Sequence, residues 1–336
     1  MNIYGAKRCF AKVMNNYYDP IEYVVKPEED GFLLKTILQK RLQVSRKLMS
    51  RLKLTEQGIT LNGERVYISV KVKAGDVVAI RMEKETSDDI LPQPIPFDIL
   101  YEDDALLIIN KQAGIIVHPT HGHYTDTLAN GVVYYWQQRG EQYRFRPVHR
   151  LDQETSGVLA VAKNPYVHQH ISEQLIAGLV NKKYLALVHG SPVPPKGSVD
   201  GPIDRDPLEP HRRIVTPTGY SALTHYEVLE HYKYGSLVQL ILESGRTHQI
   251  RVHMTHIGCP LIGDKMYQLT NKAELPEELA KKMDELDQSI ERQALHAAEL
   301  AFTHPISGEY MTFQAPLPSD MIQLKERLQK EDNKSE

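Results

Sequence analysis

The densest set of reactive side chains is His149-Arg150-Leu151-Asp152-Gln153-Glu154-Thr155-Ser156-Gly157, followed at once by the apolar run 158–162. A polar set just ahead of a buried strand suits a reaction site, because a rigid element holds the groups while a loop exposes them. In an extended chain Asp152 and Glu154 face one way, roughly 6.6 Å apart by backbone rise. Glycoside hydrolysis uses paired carboxylates of this kind. Asp, Thr, Ser and Gly also favour turns, so a capped turn accounts for the same residues. The second set is Gly245-Arg246-Thr247-His248-Gln249-Ile250-Arg251-Val252-His253. Its arginines and histidines alternate with apolar residues, and 248–254 reads as a strand whose charges either line a site or are solvated at a sheet edge. The third set, Lys182-Lys183-Tyr184-Leu185-Ala186-Leu187-Val188, places a tyrosine in a short apolar strand, where a packed ring is its ordinary role.

Other chemistries lack their residues. The sequence has neither a Gly-x-x-x-x-Gly-Lys loop nor a Gly-x-Gly-x-x-Gly fingerprint, so no nucleotide cofactor is expected. A serine nucleophile would want a Gly-x-Ser-x-Gly elbow, which is missing. His118, His121 and His123 are candidate metal ligands, as are His248, His253 and His256. Neither group has Cys pairs or His-Glu-x-x-His spacing, so no metal is expected.

These residues must be held by a folded scaffold, and the chain has the material for one. It has 336 residues, 41% hydrophobic and 25% charged, the proportions of an ordinary globular protein of about two domains. No run of about 18 apolar residues exists, which argues against a membrane helix, and the first 20 residues lack a signal-like apolar stretch. Two distant cysteines, Cys9 and Cys259, point to a reducing, cytoplasmic setting. The net charge of −3 gives no global basic field, so affinity for nucleic acid must come from local charge.

Local charge is uneven. Residues 31–54 contain seven basic residues (Lys35, Lys40, Arg41, Arg46, Lys47, Arg51 and Lys53) and no acidic ones. Leu33, Leu34, Ile37, Leu38 and Leu42 follow helical spacing; Ser45 is placed as an N-cap, and Leu48, Met49 and Leu52 repeat the pattern. Two short helices with a basic outer face are expected, then strands at 59–61, 66–70 and 77–82 with turns at Asn62-Gly63 and Ala74-Gly75-Asp76. A solvated helix face explains many charge runs, but such faces usually mix signs. Acidic residues and Pro92, Pro94 and Pro96 mark 85–97 as a stiff linker. Beyond it, 105–110, 114–117, 184–188 and 237–242 read as strands and 165–179 as a helix. Residues 274–292, with seven acids against three bases, read as a charged surface helix. The expected division is an extension at 1–20, a small module at 21–84, the linker, a large domain at 98–324 and a polar tail at 325–336. The fold class is α+β: a small α/β module, then a mixed, largely antiparallel sheet with flanking helices and a central cleft.

Two resemblances sharpen this reading. Val44-Ser45-Arg46 with Leu48, residues 59–63 and Val72-Lys73-Ala74-Gly75-Asp76 resemble the small RNA-binding module named the S-four domain, although the first helix lacks the usual Arg-Leu-Asp start. From about residue 96 to 318 the chain resembles the RluA-type RNA pseudouridine synthases. The motifs are Ile99-Leu100-Tyr101-Glu102-Asp103-Asp104; Ile109-Asn110-Lys111-Gln112-Ala113-Gly114 with Val117-His118-Pro119; the 149–157 signature; Val180-x-Lys182-x-Tyr184-x-Ala186; 245–253 continuing through Gly258-x-Pro260-Leu261-x-Gly263-Asp264; and Ala294-Leu295-His296-Ala297 with Phe302-x-His304-Pro305. Gln112 stands where that family usually has proline.

The resemblance implies isomerisation of uridine to pseudouridine with no cofactor. It assigns Asp152 as the essential carboxylate, Arg246 as its guanidinium partner and Tyr184 as the active-site tyrosine. A carboxylate in a dry pocket tends to protonate, and a nearby arginine can lower its pKa by about 1–3. Tyr184 can stack on the uracil and take part in proton transfer. Extruding the nucleotide costs a few kcal/mol, and Arg150, Lys182 and Arg251, with Arg46, Lys47 and Arg51 on the first module, are the candidate RNA grips. The expected partner is RNA, ribosomal rather than transfer RNA, bound by a monomer without membrane attachment. A non-catalytic RNA-binding protein, a metal-dependent nuclease and a glycosidase are the competing readings.

Overall fold

A computed structural model of the chain describes residues 16–120, 122–269 and 272–333. Cys9, His121 and most of the 1–20 extension lie outside the described residues. The chain forms two compact units that part between Thr86 and Ser87, with Asn164–Tyr166 grouped with the first.

In the first unit, β1 (Ile21–Val24) precedes α1 (Leu34–Lys40) and α2 (Arg46–Leu52), and β2 (Ile59–Leu61), β3 (Glu64–Arg65) and β4 (Val77–Ile80) follow. The spacing that predicts the helices also places their buried residues, Leu34, Ile37 and Leu38 on one and Leu48, Met49 and Leu52 on the other. Ser45 caps α2, its hydroxyl oxygen accepting from the Leu48 N–H at 3.2 Å. The strands form a four-stranded antiparallel sheet in the order β1-β4-β2-β3. Asn62 and Gly63, at φ 52° and 84°, make the tight turn between β2 and β3, a conformation these residue types tolerate. The strand expected at 66–70 is turn and bend instead, and β1, at the sheet edge, carries no strong periodic signal. The basic run is not free of acids in space: Arg41 pairs with the buried Glu29 and Arg51 with Glu85, both from outside the run.

The second unit begins with the proline-rich segment, which is a strap rather than a free spacer. Ile90 is buried, the Ser87 hydroxyl accepts from the Phe145 N–H at 2.7 Å, and Gln93 N–H donates to the Asn130 carbonyl at 3.1 Å. Proline restricts φ and donates nothing, which suits a segment held by its neighbours rather than by a ladder. Next come β5 (Asp98–Glu102), β6 (Leu106–Lys111), α3 (Leu128–Gln138), β7 (Ser156–Ala162), α4 (Pro165–Ile176) and β8 (Asn181–His189). Then follow β9 (Lys196–Asp200), β10 (Ile203–Arg205), β11 (Arg213–Val215), β12 (Leu223–Tyr232), β13 (Gly235–Leu242) and α5 (Gln249–His256). The unit ends with α6 (Glu277–Asp287), β14 (Leu295–Thr303), β15 (Tyr310–Gln314) and α7 (Ser319–Asn333).

Nine of these strands form one sheet, in the order β5-β6-β7-β14-β8-β13-β12-β9 with β15 beside β14. Its pairings are antiparallel except β7 with β14. The fold is thus α+β with a largely antiparallel sheet. Every residue of β7 is buried, which is why this strand reads as an unbroken apolar run rather than an alternation. At its start Gly157 adopts φ +116°, and a Cβ there would lie 2.1 Å from the Ala297 carbonyl oxygen, so only glycine fits where β7 meets β14.

Some local expectations fail in this unit. Residues 114–117 are too short for a ladder and make only an isolated bridge, Ile116 to Thr127. Residues 249–256 are helical, not a strand; residues 249–254 are all buried, and an unbroken buried run does not betray its period. The expected polar tail at 325–336 is largely α7, whose Met321, Leu324 and Leu328 pack with Leu187, Leu237, Leu286 and Ile290 in a second core cluster. Replacing Leu328 by Ala should therefore cost about 2–5 kcal/mol and lower the melting temperature, where a solvated tail would give no change in thermal unfolding.

Candidate active site

The signature segment forms a turn feeding β7, and its backbone is fixed from several directions. The Asp152 carbonyl accepts from Thr155 N–H at 3.1 Å, and the Gln153 carbonyl accepts from Gly114 N–H at 3.0 Å and from Lys111 Nζ at 2.8 Å. The Glu154 carbonyl accepts from Arg292 Nη1 at 3.0 Å. Lys111 also donates to the carbonyls of Gln112 and Ile115, both at 2.8 Å, and so ties the turn after β6 to the signature turn. Burial pushes the Lys111 ammonium down to about 7, against the pull of the Glu154 and Asp152 charges. Arg292 is itself gripped by Asp320 at the start of α7, at 2.7 and 3.0 Å. These bonds fix the backbone from which the Asp152 side chain projects.

The expected guanidinium partner of Asp152 is not Arg246. Arg246 is exposed; its Nε donates to the Ser221 carbonyl at 3.1 Å, and its guanidinium lies 5.5 Å from the Tyr220 ring centre. The partner is Arg251, one of the expected phosphate grips. Arg251 Nη1 lies 3.6 Å from Asp152 Oδ2, while Nε and Nη2 fork onto Asp264 at 2.6 and 2.8 Å. The exchange follows from the helix: α5 carries Arg251 into the interior, whereas Arg246 stays in the exposed loop before it. Burial works against the Arg251 charge, and the Asp264 hydrogen bonds and charge more than offset it, so its pKa lies above the ordinary value. The Asp264 carboxylate also accepts from the N–H groups of Met266 and Tyr267, each at 3.0 Å.

Tyr184, on β8, is buried in the main core cluster. Burial, and secondarily the Asp152 charge, push its phenol well above the ordinary range, so it is a neutral hydroxyl. Lys182, two residues earlier on the same strand, is half-buried and donates to the Ser244 carbonyl at 3.2 Å; burial lowers its pKa. Arg150 is exposed beside Asp152 in the chain. Arg46, Lys47 and Arg51 are exposed on α2 of the first unit, with Arg51 engaged by Glu85.

A cavity of about 350 Å³ opens beside Asp152, walled by Asp152, Glu154, His248, Arg251, Arg292 and Gln293 among others. The histidine groups do not converge on it as ligand sets. His253 is committed to Thr224 and to the Gly201 carbonyl, and among the described residues no cluster of three or more His, Cys, Asp or Glu side chains is placed to hold a metal ion. No helix of the described residues is long and apolar enough to cross a membrane. Asp264 and Lys111 were visible as members of motifs without any stated role, and nothing in the sequence marked Arg292.

Comparison with known proteins agrees with this geometry. The family described as RNA pseudouridylate synthase matches residues 105–256, and the RluD ribosomal pseudouridine synthase N-terminal domain matches 21–78. The chain is 42% identical over 275 residues to "Uncharacterized RNA pseudouridine synthase YlyB" of Bacillus subtilis, covering 81% of this chain and 86% of that one. It is 39% identical over 254 residues to "Ribosomal large subunit pseudouridine synthase D" of Escherichia coli, covering 76% and 77%. Among solved structures, the human RNA pseudouridylate synthase domain containing 4 superposes with TM-score 0.55 at 29% identity, over 69% of this chain and 92% of that one.

The two arginines should separate cleanly in stability. Arg251→Ala leaves the buried Asp264 carboxylate without its cation and should cost about 3–5 kcal/mol in denaturant unfolding. Arg246→Ala should stay within about 0.5 kcal/mol of wild type. Equal effects would mean that the Asp264 fork is not a structural requirement.

Proposed function

Because the chain belongs to the RNA pseudouridine synthase family, we propose that it converts a uridine of ribosomal RNA to pseudouridine at the cavity beside Asp152. In the reaction the C1′–N1 bond breaks, the uracil turns, C1′–C5 forms, C5 loses its proton and N1 gains one. Nothing is oxidised and no group leaves. The observation that carries this reading is the pairing of Asp152 Oδ2 with the buried Arg251 guanidinium at 3.6 Å, on the wall of a cavity large enough for a nucleotide.

Asp152 supplies the negatively charged oxygen that each route needs, whether it attacks base or sugar or takes the proton. Arg251 sets a guanidinium nitrogen 3.6 Å from that oxygen. Tyr184, a neutral phenol near enough to feel the Asp152 charge though not itself a wall of the cavity, has a hydroxyl that can hand on a proton. Arg246, exposed before α5, takes the phosphate-facing role expected of Arg251, together with Arg150 and Lys182. The ribosomal substrate is supported by relatives named for the large ribosomal subunit and by the match of residues 21–78 to a ribosomal synthase N-terminal domain. The exposed Arg46, Lys47 and Arg51 would grip RNA backbone from that unit.

Pseudouridine mapping across cellular RNAs tests the reading. Wild type should restore a modification in ribosomal RNA to cells lacking the protein, and Asp152→Asn should restore none while binding the RNA normally. A modification found only in transfer RNA, or full activity of Asp152→Asn, would refute it. Replacing Arg46 and Lys47 together by Gln should make log K against log salt shallower by about 1.4–1.8. An unchanged slope removes α2 from the interface.

A further inference from the structure

The wall of the cavity opposite in chemistry to Asp152 is His248, and no role has so far been given to it. His248 lies immediately before α5 with φ 58° and ψ 19°, a left-handed conformation uncommon for a residue with a side chain. Such conformations persist where the surroundings over-determine them, and they gather at functional sites. Here the over-determination is visible. The Gln249 side chain accepts from Arg246 N–H and Ser244 Oγ at 3.0 and 2.7 Å, and donates to the Leu223 carbonyl and the Thr224 hydroxyl, both at 3.0 Å. The start of α5 is thus clamped, and the imidazole is delivered to the cavity that Asp152 and Arg251 also line.

The hydrogen bonds around Tyr267 are the basis for assigning which ring nitrogen carries the proton. His248 Nδ1 lies 2.8 Å from the Tyr267 hydroxyl, and the two rings meet edge to face at 5.5 Å. The same hydroxyl oxygen accepts from Arg213 N–H at 2.8 Å. With its oxygen engaged by that donor, the Tyr267 O–H proton points to Nδ1, which therefore accepts. Burial lowers the His248 pKa, with the Arg251 and Arg213 charges acting in the same sense and Asp152 and Asp264 against it. A neutral ring that accepts at Nδ1 carries its single proton on Nε2. His248 lines the cavity and Tyr267 does not, so in this assignment Nδ1 belongs to the Tyr267 side of the ring and Nε2–H to the cavity side.

We propose that His248 is a further substrate-binding residue, whose Nε2–H donates a hydrogen bond to a carbonyl oxygen of the uracil held beside Asp152. This rests on the functional reading above. The chemistry gives the contact a purpose beyond affinity. A uracil parted from its sugar spreads negative charge over its carbonyl oxygens. A fixed, neutral N–H stabilises that charge as it develops. Tyr267 is a positioning residue in this arrangement: it sets the tautomer and touches no substrate.

The test is single-turnover conversion of an RNA fragment carrying the mapped uridine, with that position synthesised as uridine, 4-thiouridine or 2-thiouridine. Sulfur is the poorer acceptor, so wild type should be slowed by replacement of the oxygen that His248 contacts, and the two thio substrates distinguish O4 from O2. His248→Gly keeps the left-handed backbone and removes the donor. It should slow conversion of the uridine substrate about ten- to a hundredfold and show no further loss with the sensitive thio substrate. Tyr267→Phe should give an intermediate loss with the edge-to-face ring kept, and it reads the contact if the glycine variant unfolds. If both thio substrates slow the variant as much as they slow wild type, the contact does not exist and the inference fails while the functional reading stands. If wild type does not convert the uridine fragment at all, the functional reading fails and this inference with it.

Discussion

A buried guanidinium organises this molecule. Arg251 and Asp264 keep 8% and 0% of their side chains exposed, and removing two such charges from water costs several kcal/mol per ion. That cost is offset only if geometry and hydrogen bonding are nearly complete. The fork onto Asp264 uses two nitrogens of the guanidinium, and the backbone N–H groups of Met266 and Tyr267 donate to its Oδ1 as well. What is left over is Nη1, aimed at Asp152. The placement of charge beside the cavity is therefore a by-product of satisfying a buried pair, and the pair in turn dictates where α5 and the turn at residues 263–264 must run. The Asp287 carboxylate at the end of α6 accepts from the Gly263 N–H at 2.8 Å and lies 2.7 Å from His189 Nε2, which ties a charged surface helix to the same turn.

Asp152 needs a rigid backbone as much as a charged neighbour. Its turn is held by Lys111 from the end of β6 and by Arg292 from just before β14, two cations placed far apart in sequence and brought together by the order of strands in the sheet. Each cation donates to carbonyl oxygens rather than pairing with Asp152. The carboxylate is thus left facing Arg251 and the cavity, which His248 also lines.

Much of this was legible in the residue pattern, and the failures have physical causes. Amphipathic spacing and the Ser45 cap marked α1 and α2, and the buried run after Gly157 marked β7. Motif order carried the family and pointed to Asp152. Arg251 rather than Arg246 lies beside Asp152, and the sequence hides this because residues 249–254 are buried on all sides, which erases the helical period and makes a helix read as a strand. The end of the chain reads as solvent-exposed because Met321, Leu324 and Leu328 are sparse apolar positions among many charges, and their burial depends on a cluster supplied by distant elements. Lys111 and Arg292 act through main-chain carbonyls, whose positions no side-chain pattern records.

The most direct measurement is the single-turnover rate of Asp264→Asn, which keeps the size and one acceptor of the side chain but removes the charge that anchors Arg251, and which does not line the cavity beside Asp152. The account expects pseudouridine formation slower by about ten- to a hundredfold with RNA affinity unchanged, the loss of one charge-assisted hydrogen bond expressed in the rate. A rate equal to wild type, in a variant shown to be folded, would mean that Asp152 does not depend on a guanidinium held from behind.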